Sequence, residues 1–145
     1  MDKNMNKELQ ELSQSLEDYL EAIYLISKDK KVIRVKDVVV RMRVKTASVI
    51  GALKKLEIKG FIEHERYGHI ELTDVGLIRA LKIYEKHSAL LYFIHNILGV
   101  EKKISEKDAC NIEHYISDET LEKLIDFIKK IGSPPKTMGS KNEAV

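Results

Sequence analysis

The order of patterns between Val35 and Leu72 constrains the fold more than any other feature of this sequence. A helical apolar stripe over Val35–Met42 is followed by a tight turn at Arg43–Lys45 and then by a second helical stripe. Gly60 is placed to end that second helix, and two short segments with a glycine between them then predict a β-hairpin. The order helix, turn, helix, hairpin is typical of a winged helix-turn-helix, a DNA-binding module.

Helices are predicted on both sides of this module, so the fold class is mainly α. An N-terminal winged helix-turn-helix over residues 1–74 precedes an α-helical domain over residues 75–133, and residues 134–145 read as a disordered tail. Serine or threonine at helix starts predicts the caps, namely Ser15 with Asp18, Thr46, Thr73 or Asp74, Ser105 with Asp108 for a helix through Ile116, and Ser117 with Asp118. In the second helix of the module the inward positions are predicted to be Val49, Ile50, Leu53, Leu56 and Ile58. The apolar stripe of the long helix that follows is wider than one neighbour needs, which predicts that part of it forms a subunit interface.

The charge is unevenly distributed along the chain. The formal net charge is +2, but Lys28 to Lys59 carries 11 Lys/Arg against 3 Asp/Glu, and the remainder carries 14 against 20. A basic segment suits phosphate, and an acidic remainder suits metal cations. A solvated basic face is the alternative reading of the same numbers.

Composition excludes several classes. No apolar run approaches the ~20 residues that cross a bilayer, and the first nine residues lack a signal-peptide stretch, so we expect a cytoplasmic protein. The single cysteine cannot form an internal disulfide, which agrees with a reducing compartment. Nothing suggests a nucleophilic triad or a phosphate-binding glycine loop, so we expect no enzyme.

Cys110, Glu113 and His114 form the most informative chemical motif. In a helix, positions i, i+3 and i+4 lie on one face, and this face offers a thiol, a carboxylate and an imidazole, all of which bind metals. Further ligand types occur at Asp18 and Glu21, three apart on the first helix, and at His87 on the long helix. Taken singly, each of these residues also has an ordinary structural explanation. Cys110 can be a small buried hydrophobic residue, Asp18 a member of a helix cap, and His87 a hydrogen-bonded histidine in an interface. Together, several carboxylates and a thiolate brought to one poorly solvated place would repel, and a divalent ion removes that cost.

Two stretches carry a family resemblance. Residues 15–24, Ser-Leu-Glu-Asp-Tyr-Leu-Glu-Ala-Ile-Tyr, resemble the opening helix of the diphtheria toxin repressor and manganese transport regulator family, and residues 108–119 resemble its metal-binding signature. The similarity runs in order from about Ser15 to Ser133. It implies a dimeric repressor of metal-uptake genes, activated by Mn(II) or Fe(II), with the helical domain binding metal and forming the homodimer.

The resemblance also implies a ligand set. Carried over by position, the metal ligands are Asp18, Glu21, His87, Cys110, Glu113 and His114. Asp18 and Glu21 match the manganese regulators of the family, whereas Cys110 matches the iron regulators. Three carboxylates favour Mn(II) or Fe(II), while a thiolate raises the affinity for iron, Co(II) and Zn(II), so the last two are expected to bind in vitro.

DNA contacts are predicted from the position of the second module helix, whose N-terminal end should enter the major groove. The residues expected near base edges are Lys45, Thr46, Ala47, Ser48 and Val49. Phosphate contacts are expected from Arg41, Arg43, Lys54, Lys55 and the wing residues Arg66 and Tyr67. The partners are therefore double-stranded operator DNA and a second copy of the chain, with no membrane.

Two alternatives stay open at this stage. One is a winged-helix factor whose DNA binding ignores metal, which loss of DNA binding in chelator would exclude. The other is a helical metalloenzyme or metal-storage protein, since carboxylates and histidines on facing helices also build such sites. The basic module would then have no purpose.

Overall fold

The computed structural model describes residues 11–65 and 68–131 of this chain. It contains six α-helices and a two-stranded sheet within these residues, which confirms the mainly α fold class. The elements are α1 (Gln14–Ser27), α2 (Val35–Met42), α3 (Thr46–Ile58), β1 (Ile62–His64), β2 (Ile70–Leu72), α4 (Asp74–Tyr92), a π-helical segment (Phe93–Ile97), α5 (Lys102–Ile112) and α6 (Asp118–Ile131). The wing residues Arg66 and Tyr67 and the predicted tail lie outside the described residues.

The chain divides into two compact units, one up to Lys82 and one from Ile83. The division falls inside α4, eight residues beyond the boundary at 74/75 that the sequence suggested for the DNA-binding module. That domain boundary stays a prediction. None of the described helices is both long enough and apolar enough to cross a membrane.

The first unit is a winged helix-turn-helix. α1, α2 and α3 pack on one another, and the antiparallel hairpin pairs Ile62 with Leu72 and His64 with Ile70. Ile33 extends the sheet by one bridge, since the backbone N–H of Ile70 donates to its carbonyl at 2.9 Å. The core beneath is formed by fully buried side chains, chiefly Leu20, Ile23, Val38, Val49, Leu53, Leu56, Phe61, Ile62 and Ile70.

Two caps of the first unit differ from the sequence prediction. α1 begins two residues earlier than expected, because Ser13 rather than Ser15 accepts the backbone N–H of Leu16 (3.2 Å). α3 has Lys45 at its N-cap and no side-chain cap, so Thr46 is its first helical residue. Ile50 and Ile58, predicted to face inward, are 40% and 81% exposed, and Ala52 takes a buried position instead. The buried face of α3 is therefore narrower than the apolar stripe in the sequence predicted.

The start of α4 is fixed by an unusually close backbone approach. Thr73 caps the helix by accepting the backbone N–H of Gly76 (3.0 Å), and its hydroxyl donates to the Gly60 carbonyl (2.7 Å). A Cβ on Gly76 would lie 1.9 Å from the carbonyl oxygen of Phe61, so only glycine fits there.

The second unit is formed by the end of α4, the π-helical segment, α5 and α6. Leu90, Ile94 and Ala109 form its buried centre, with Phe93 and Leu124 packed against them. Ser117 caps α6 as predicted, accepting the backbone N–H of Thr120 at 3.1 Å.

α5 departs from its prediction at both ends. Ser105 is a buried residue of the second helical turn, whose hydroxyl donates to the carbonyls of Val100 (3.0 Å) and Glu101 (2.9 Å), so it does not cap the helix. The helix begins at Lys102 and ends at Ile112 instead of continuing to Ile116. A serine inside a helix can donate to a preceding carbonyl, and the residues around it can resemble those around a capping serine. This resemblance explains why Ser105 was wrongly predicted to cap α5.

Candidate metal centre and DNA-reading helix

The Cys-x-x-Glu-His motif lies where α5 gives way to a turn. Cys110 is half-buried in the last helical turn, and Glu113 follows the helix as its C-cap residue with right-handed helical angles (φ −54°, ψ −30°). The backbone N–H of Glu113 still donates to the Ala109 carbonyl at 2.9 Å. Cys110 and Glu113 therefore keep the i, i+3 relation on which the motif depends, although His114 already belongs to the turn.

Glu113 is the central residue of this site. Its side chain is fully buried, and its Oε1 lies 2.7 Å from Nδ1 of His87 on α4. Its Oε2 is buried and has no hydrogen-bond partner among the described residues. An unsatisfied buried carboxylate oxygen is costly, so this arrangement calls for a cation or another donor.

The donors of the second unit suit a divalent metal. His87 and His114 offer imidazole nitrogens, Glu113 a carboxylate and Cys110 a thiol, and all four are buried or half-buried. Imidazole with carboxylate binds Mn(II), Fe(II) and Zn(II), and a thiolate adds affinity for the softer of these ions. The Oε2 of Glu113, which has no partner within the part of the chain that the structure describes, and this donor chemistry both fit a bound divalent ion.

Asp18 and Glu21 lie in the first unit, on α1. They are three residues apart and both half-buried, so they occupy one face of the helix as predicted. Glu17 directly precedes Asp18 on α1, and its Oε2 is 3.4 Å from Nη2 of Arg79 on α4. Arg79 also lies over the Phe61 ring, 5.8 Å from its centroid.

Sequence reasoning missed the contact between Glu17 and Arg79. These residues are 62 positions apart, and Arg79 belongs to no motif, so no local spacing could have indicated the pair. It ties α1, the helix that carries Asp18 and Glu21, to the part of α4 that belongs to the same unit.

The N-terminal end of α3 has the exposure that a DNA-reading helix requires. Lys45, Thr46, Ala47 and Ser48 are all exposed, as are the predicted phosphate contacts Arg41, Arg43, Lys54 and Lys55. Arg43 has the left-handed backbone of a tight turn (φ 57°), which separates α2 from α3. Gly51 is also exposed, and a Cβ there would meet nothing within 4 Å.

Val49 is a correction to the predicted DNA-reading set. Its side chain is 0% exposed and lies in the core beneath α3. It therefore anchors the helix and cannot reach a base edge, so that set reduces to Lys45, Thr46, Ala47 and Ser48.

The comparisons with known proteins agree with this geometry. Residues 11–70 match the family model of the iron-dependent repressor N-terminal DNA-binding domain, and residues 73–138 match that of the iron-dependent repressor metal-binding and dimerisation domain. An uncharacterised HTH-type transcriptional regulator of Methanocaldococcus jannaschii is 38% identical over 120 residues, which are 82% of this chain and 96% of the relative. The HTH-type transcriptional regulator MntR of Shouchella clausii is 32% identical over 79% of this chain and 80% of its own length.

Solved structures show the same architecture. The manganese regulator SloR superposes with a TM-score of 0.71 at 29% identity, and the metal-dependent transcriptional regulator MtsR with 0.75 at 28% identity. These matches cover 86% and 83% of this chain, which spans 60% and 56% of the solved chains.

Fold and donor set together define a winged-helix DNA-binding protein with a metal-binding helical domain. The chain belongs to the iron-dependent repressor family, the group of the diphtheria toxin repressor and the manganese transport regulators. Its members are metal-dependent transcriptional regulators and not enzymes, and their cofactor is a divalent metal ion.

Proposed function

We propose that this protein is a metal-activated repressor of metal-uptake genes that binds operator DNA as a homodimer in the cytoplasm. The observation that carries the proposal is Glu113, a buried carboxylate with one oxygen on His87 and the other without a partner among the described residues. Such a group is expensive in a metal-free protein and is explained by an ion that binds it. The segment around it matches the metal-binding domain of the family.

The proposed ligands are His87, Cys110, Glu113 and His114 in the second unit and Asp18 and Glu21 in the first. The hydrogen bond between His87 and Glu113 supports the first group (2.7 Å). The inclusion of Asp18 and Glu21 rests on the sequence resemblance and on their shared face of α1.

The proposed ion is Mn(II) or Fe(II). The carboxylate ligands favour these ions, and two of the solved structures similar to this chain are named as a manganese regulator and a manganese-dependent repressor. Cys110 raises the affinity for softer ions, so metal availability in the cell would decide which ion acts.

Regulation would follow from ligands that the sequence draws from both units. A bound divalent ion supplies the positive charge that several carboxylates and a thiolate need in order to share one site. Without it, repulsion among Asp18, Glu21 and Glu113 would leave α1 less constrained and favour a DNA-binding module that is not set for the operator. Coupling of ~1–3 kcal/mol between metal and DNA binding is normal for such linkage.

DNA would be read by the exposed start of α3. Lys45, Thr46, Ala47 and Ser48 would approach base edges, while Arg41, Arg43, Lys54 and Lys55 would contact phosphates together with Arg66 and Tyr67 of the wing. Dimerisation is supported by the exposed apolar side chains of Leu77, Ile78 and Leu81 on α4, in the segment that matches the dimerisation domain.

The deciding experiment is DNA binding under anaerobic conditions, with DNA from upstream of the protein's own gene as the probe. Binding is compared in chelator and at controlled free Mn(II), Fe(II), Co(II) and Zn(II), for the wild type and for Cys110→Ser. We expect binding only with metal, and a larger loss for Cys110→Ser with Fe(II), Co(II) and Zn(II) than with Mn(II), because a hydroxyl is a poor soft ligand.

The competing functions give different results. DNA binding that is equally tight in chelator would show a metal-independent winged-helix factor. An unchanged metal ranking in Cys110→Ser would show that the cysteine only packs in the core.

A further inference from the structure

We propose that Lys86 is a positioning residue that holds the ligand-bearing turn, residues 113–117, against α4. Its Nζ donates to the carbonyl of Ile116 at 3.4 Å and lies 3.5 Å from Oδ1 of Asp118, the first residue of α6. The inference rests on the proposed metal-activated function and adds a residue to it that is not itself a ligand.

Two consecutive residues of α4 hold the two ends of this turn. His87 contacts the side chain of Glu113 at the beginning of the turn, at 2.7 Å. Lys86 contacts the main chain at Ile116 and the side chain of Asp118 where α6 begins. All of these residues belong to the second unit, so the contacts are internal to it.

The internal bonds of the turn fix its shape but not its orientation to α4. The backbone N–H groups of Tyr115 and Ile116 both donate to the Ile112 carbonyl, at 2.9 and 3.0 Å, and the N–H of Glu113 donates to the carbonyl of Ala109. These are contacts within α5 and the turn itself. Orientation to α4 comes from the packing of Ile116 against the cluster that contains Leu90 and from the polar contacts of Lys86 and His87.

Lys86 is suited to a role that persists when metal is bound. If His87 and Glu113 bind an ion through Nδ1 and Oε1, the two atoms that now face each other, their direct hydrogen bond is given up. The contacts of Lys86 use a main-chain carbonyl and Asp118, neither of which is a proposed ligand, so they survive that change. Groups behind the ligands orient them in this way at metal sites, and their loss weakens binding.

The burial of Lys86 agrees with a specific role. Its side chain is 17% exposed, whereas that of Asp118 is 59% exposed. An ammonium group withdrawn from water needs partners, and the carbonyl of Ile116 is the one that belongs to the turn. Because Asp118 is largely solvated, the ion pair alone contributes little to the free energy of folding.

The test compares Lys86→Met, which keeps the length but removes the donor and the charge, with Lys86→Arg and with Lys103→Met. Lys103 is exposed on α5 in the same unit, so its variant removes one charge without touching the turn contacts. Each full-length protein is titrated anaerobically with Co(II), and the thiolate-to-cobalt absorption and the ligand-field bands are recorded. The unfolding midpoint of each metal-free protein is measured alongside.

We expect Lys86→Met to weaken Co(II) binding about tenfold and to change the ligand-field spectrum, as the loss of a ligand-orienting group does. Lys86→Arg should restore both, because it keeps a cationic donor. Lys103→Met should match the wild type, and the metal-free midpoints should coincide.

Equal Co(II) affinity and spectra in Lys86→Met and Lys103→Met would overturn the inference for Lys86 while the proposed function stands. A metal-free midpoint that falls in Lys86→Met, with the spectrum of its bound Co(II) unchanged, would also overturn it by showing a purely structural role. Failure of the wild type to take up Co(II) would instead remove the proposed function, and the role of Lys86 with it.

Discussion

Gly76 is the residue at which the fold tolerates least change. A Cβ there would lie 1.9 Å from the Phe61 carbonyl oxygen and 2.9 Å from its carbon, and both are backbone atoms that cannot rotate away. We expect Gly76→Ala to lower the free energy of unfolding by about 1–3 kcal/mol or more, as overpacking does.

Gly51 provides the matched control for that substitution. It also lies in a helix, but a Cβ there meets nothing within 4 Å, so Gly51→Ala should raise stability by about 0.5–1 kcal/mol. Urea unfolding of both variants measures the difference. Equal midpoints for Gly76→Ala and the wild type would mean that α4 and Phe61 can separate without cost.

A substitution of Glu113 should test metal binding separately from folding. Glu113→Gln keeps the shape of the side chain but removes the charge that the proposed ion needs, and Oε2 already lacks a partner among the described residues. We expect the rise in melting temperature on adding Mn(II) to be lost, since a ligand stabilises only the state it binds. Glu122→Gln, exposed on α6, is the control and should keep the rise. A full rise in Glu113→Gln would remove Glu113 from the ligand set.

Single residues also show what sequence patterns can and cannot resolve. Ser117 was correctly predicted as a cap, while Ser105 was not, although both are followed by an acidic residue within three positions. The difference lies in burial: Ser105 is fully buried and its hydroxyl is used by two carbonyls. Composition around a serine does not reveal which of these bonds it makes.

At the scale of elements, α2 is held at its start by one carboxylate. Asp37 accepts from Lys30 Nζ at 2.6 Å and from the backbone N–H of Arg34 at 2.9 Å. The hydrogen bond from Lys30 and then that from Arg34 lower the pKa of Asp37 below its ordinary value of 3.8. The charged form is therefore favoured in the folded protein.

This arrangement predicts a pH-dependent effect. Because the folded pKa of Asp37 is depressed, its stabilisation is fully present above pH 3.8 and is lost as the pH falls through the folded pKa. We expect Asp37→Asn to lower stability by about 1 kcal/mol or less at pH 7, since Lys30 is half-exposed. The difference from the wild type should shrink below about pH 3.8.

Urea unfolding from pH 7 to pH 3 measures this difference, and Asp126→Asn on the exposed side of α6 serves as the control for loss of a charge. A deficit of Asp37→Asn that stays constant to the lowest pH would show that the contacts of the side chain, and not its charge, stabilise α2.

The long helix shows how far an apolar stripe can be interpreted. Ala80, Ile83, Ala89 and Leu90 are its buried positions, while Leu77, Ile78 and Leu81 are exposed. The predicted excess of apolar side chains is therefore present on α4, and its assignment to a subunit interface stays a prediction. The π-helical turns from Phe93 to Ile97 had no signal in the periodicity, because one added residue per turn alters it only locally.

For the whole molecule, the proposed function requires reciprocity between metal and DNA. If metal tightens operator binding by a given factor, operator DNA must tighten metal binding by the same factor. We expect a factor of about 5–150 in each direction, measured by Mn(II) titration of the dimer with and without saturating operator DNA. An unrelated DNA of equal length is the control. Identical Mn(II) affinities with both DNAs, alongside metal-dependent operator binding, would contradict a linked equilibrium.

The sequence by itself determined the order of elements, the winged helix-turn-helix and the kinds of ligand available. These features are periodic or local, as with the stripe of α2, the turn at Arg43 and the spacing of Cys110 and Glu113. Exposure followed less well, since Ile50 and Ile58 were predicted to face inward but are exposed. Val49 was predicted both to face inward and to lie near base edges, and its burial supports only the first of these.

Only the tertiary structure decided which polar groups are left buried and which backbones touch. The contact of Lys86 with Ile116, that of Glu17 with Arg79 and the approach of Gly76 to Phe61 all join residues far apart in the chain. Packing likewise buries the Glu113 oxygen that has no partner among the described residues. Such contacts depend on how helices pack against one another, and no spacing within a single segment encodes that packing.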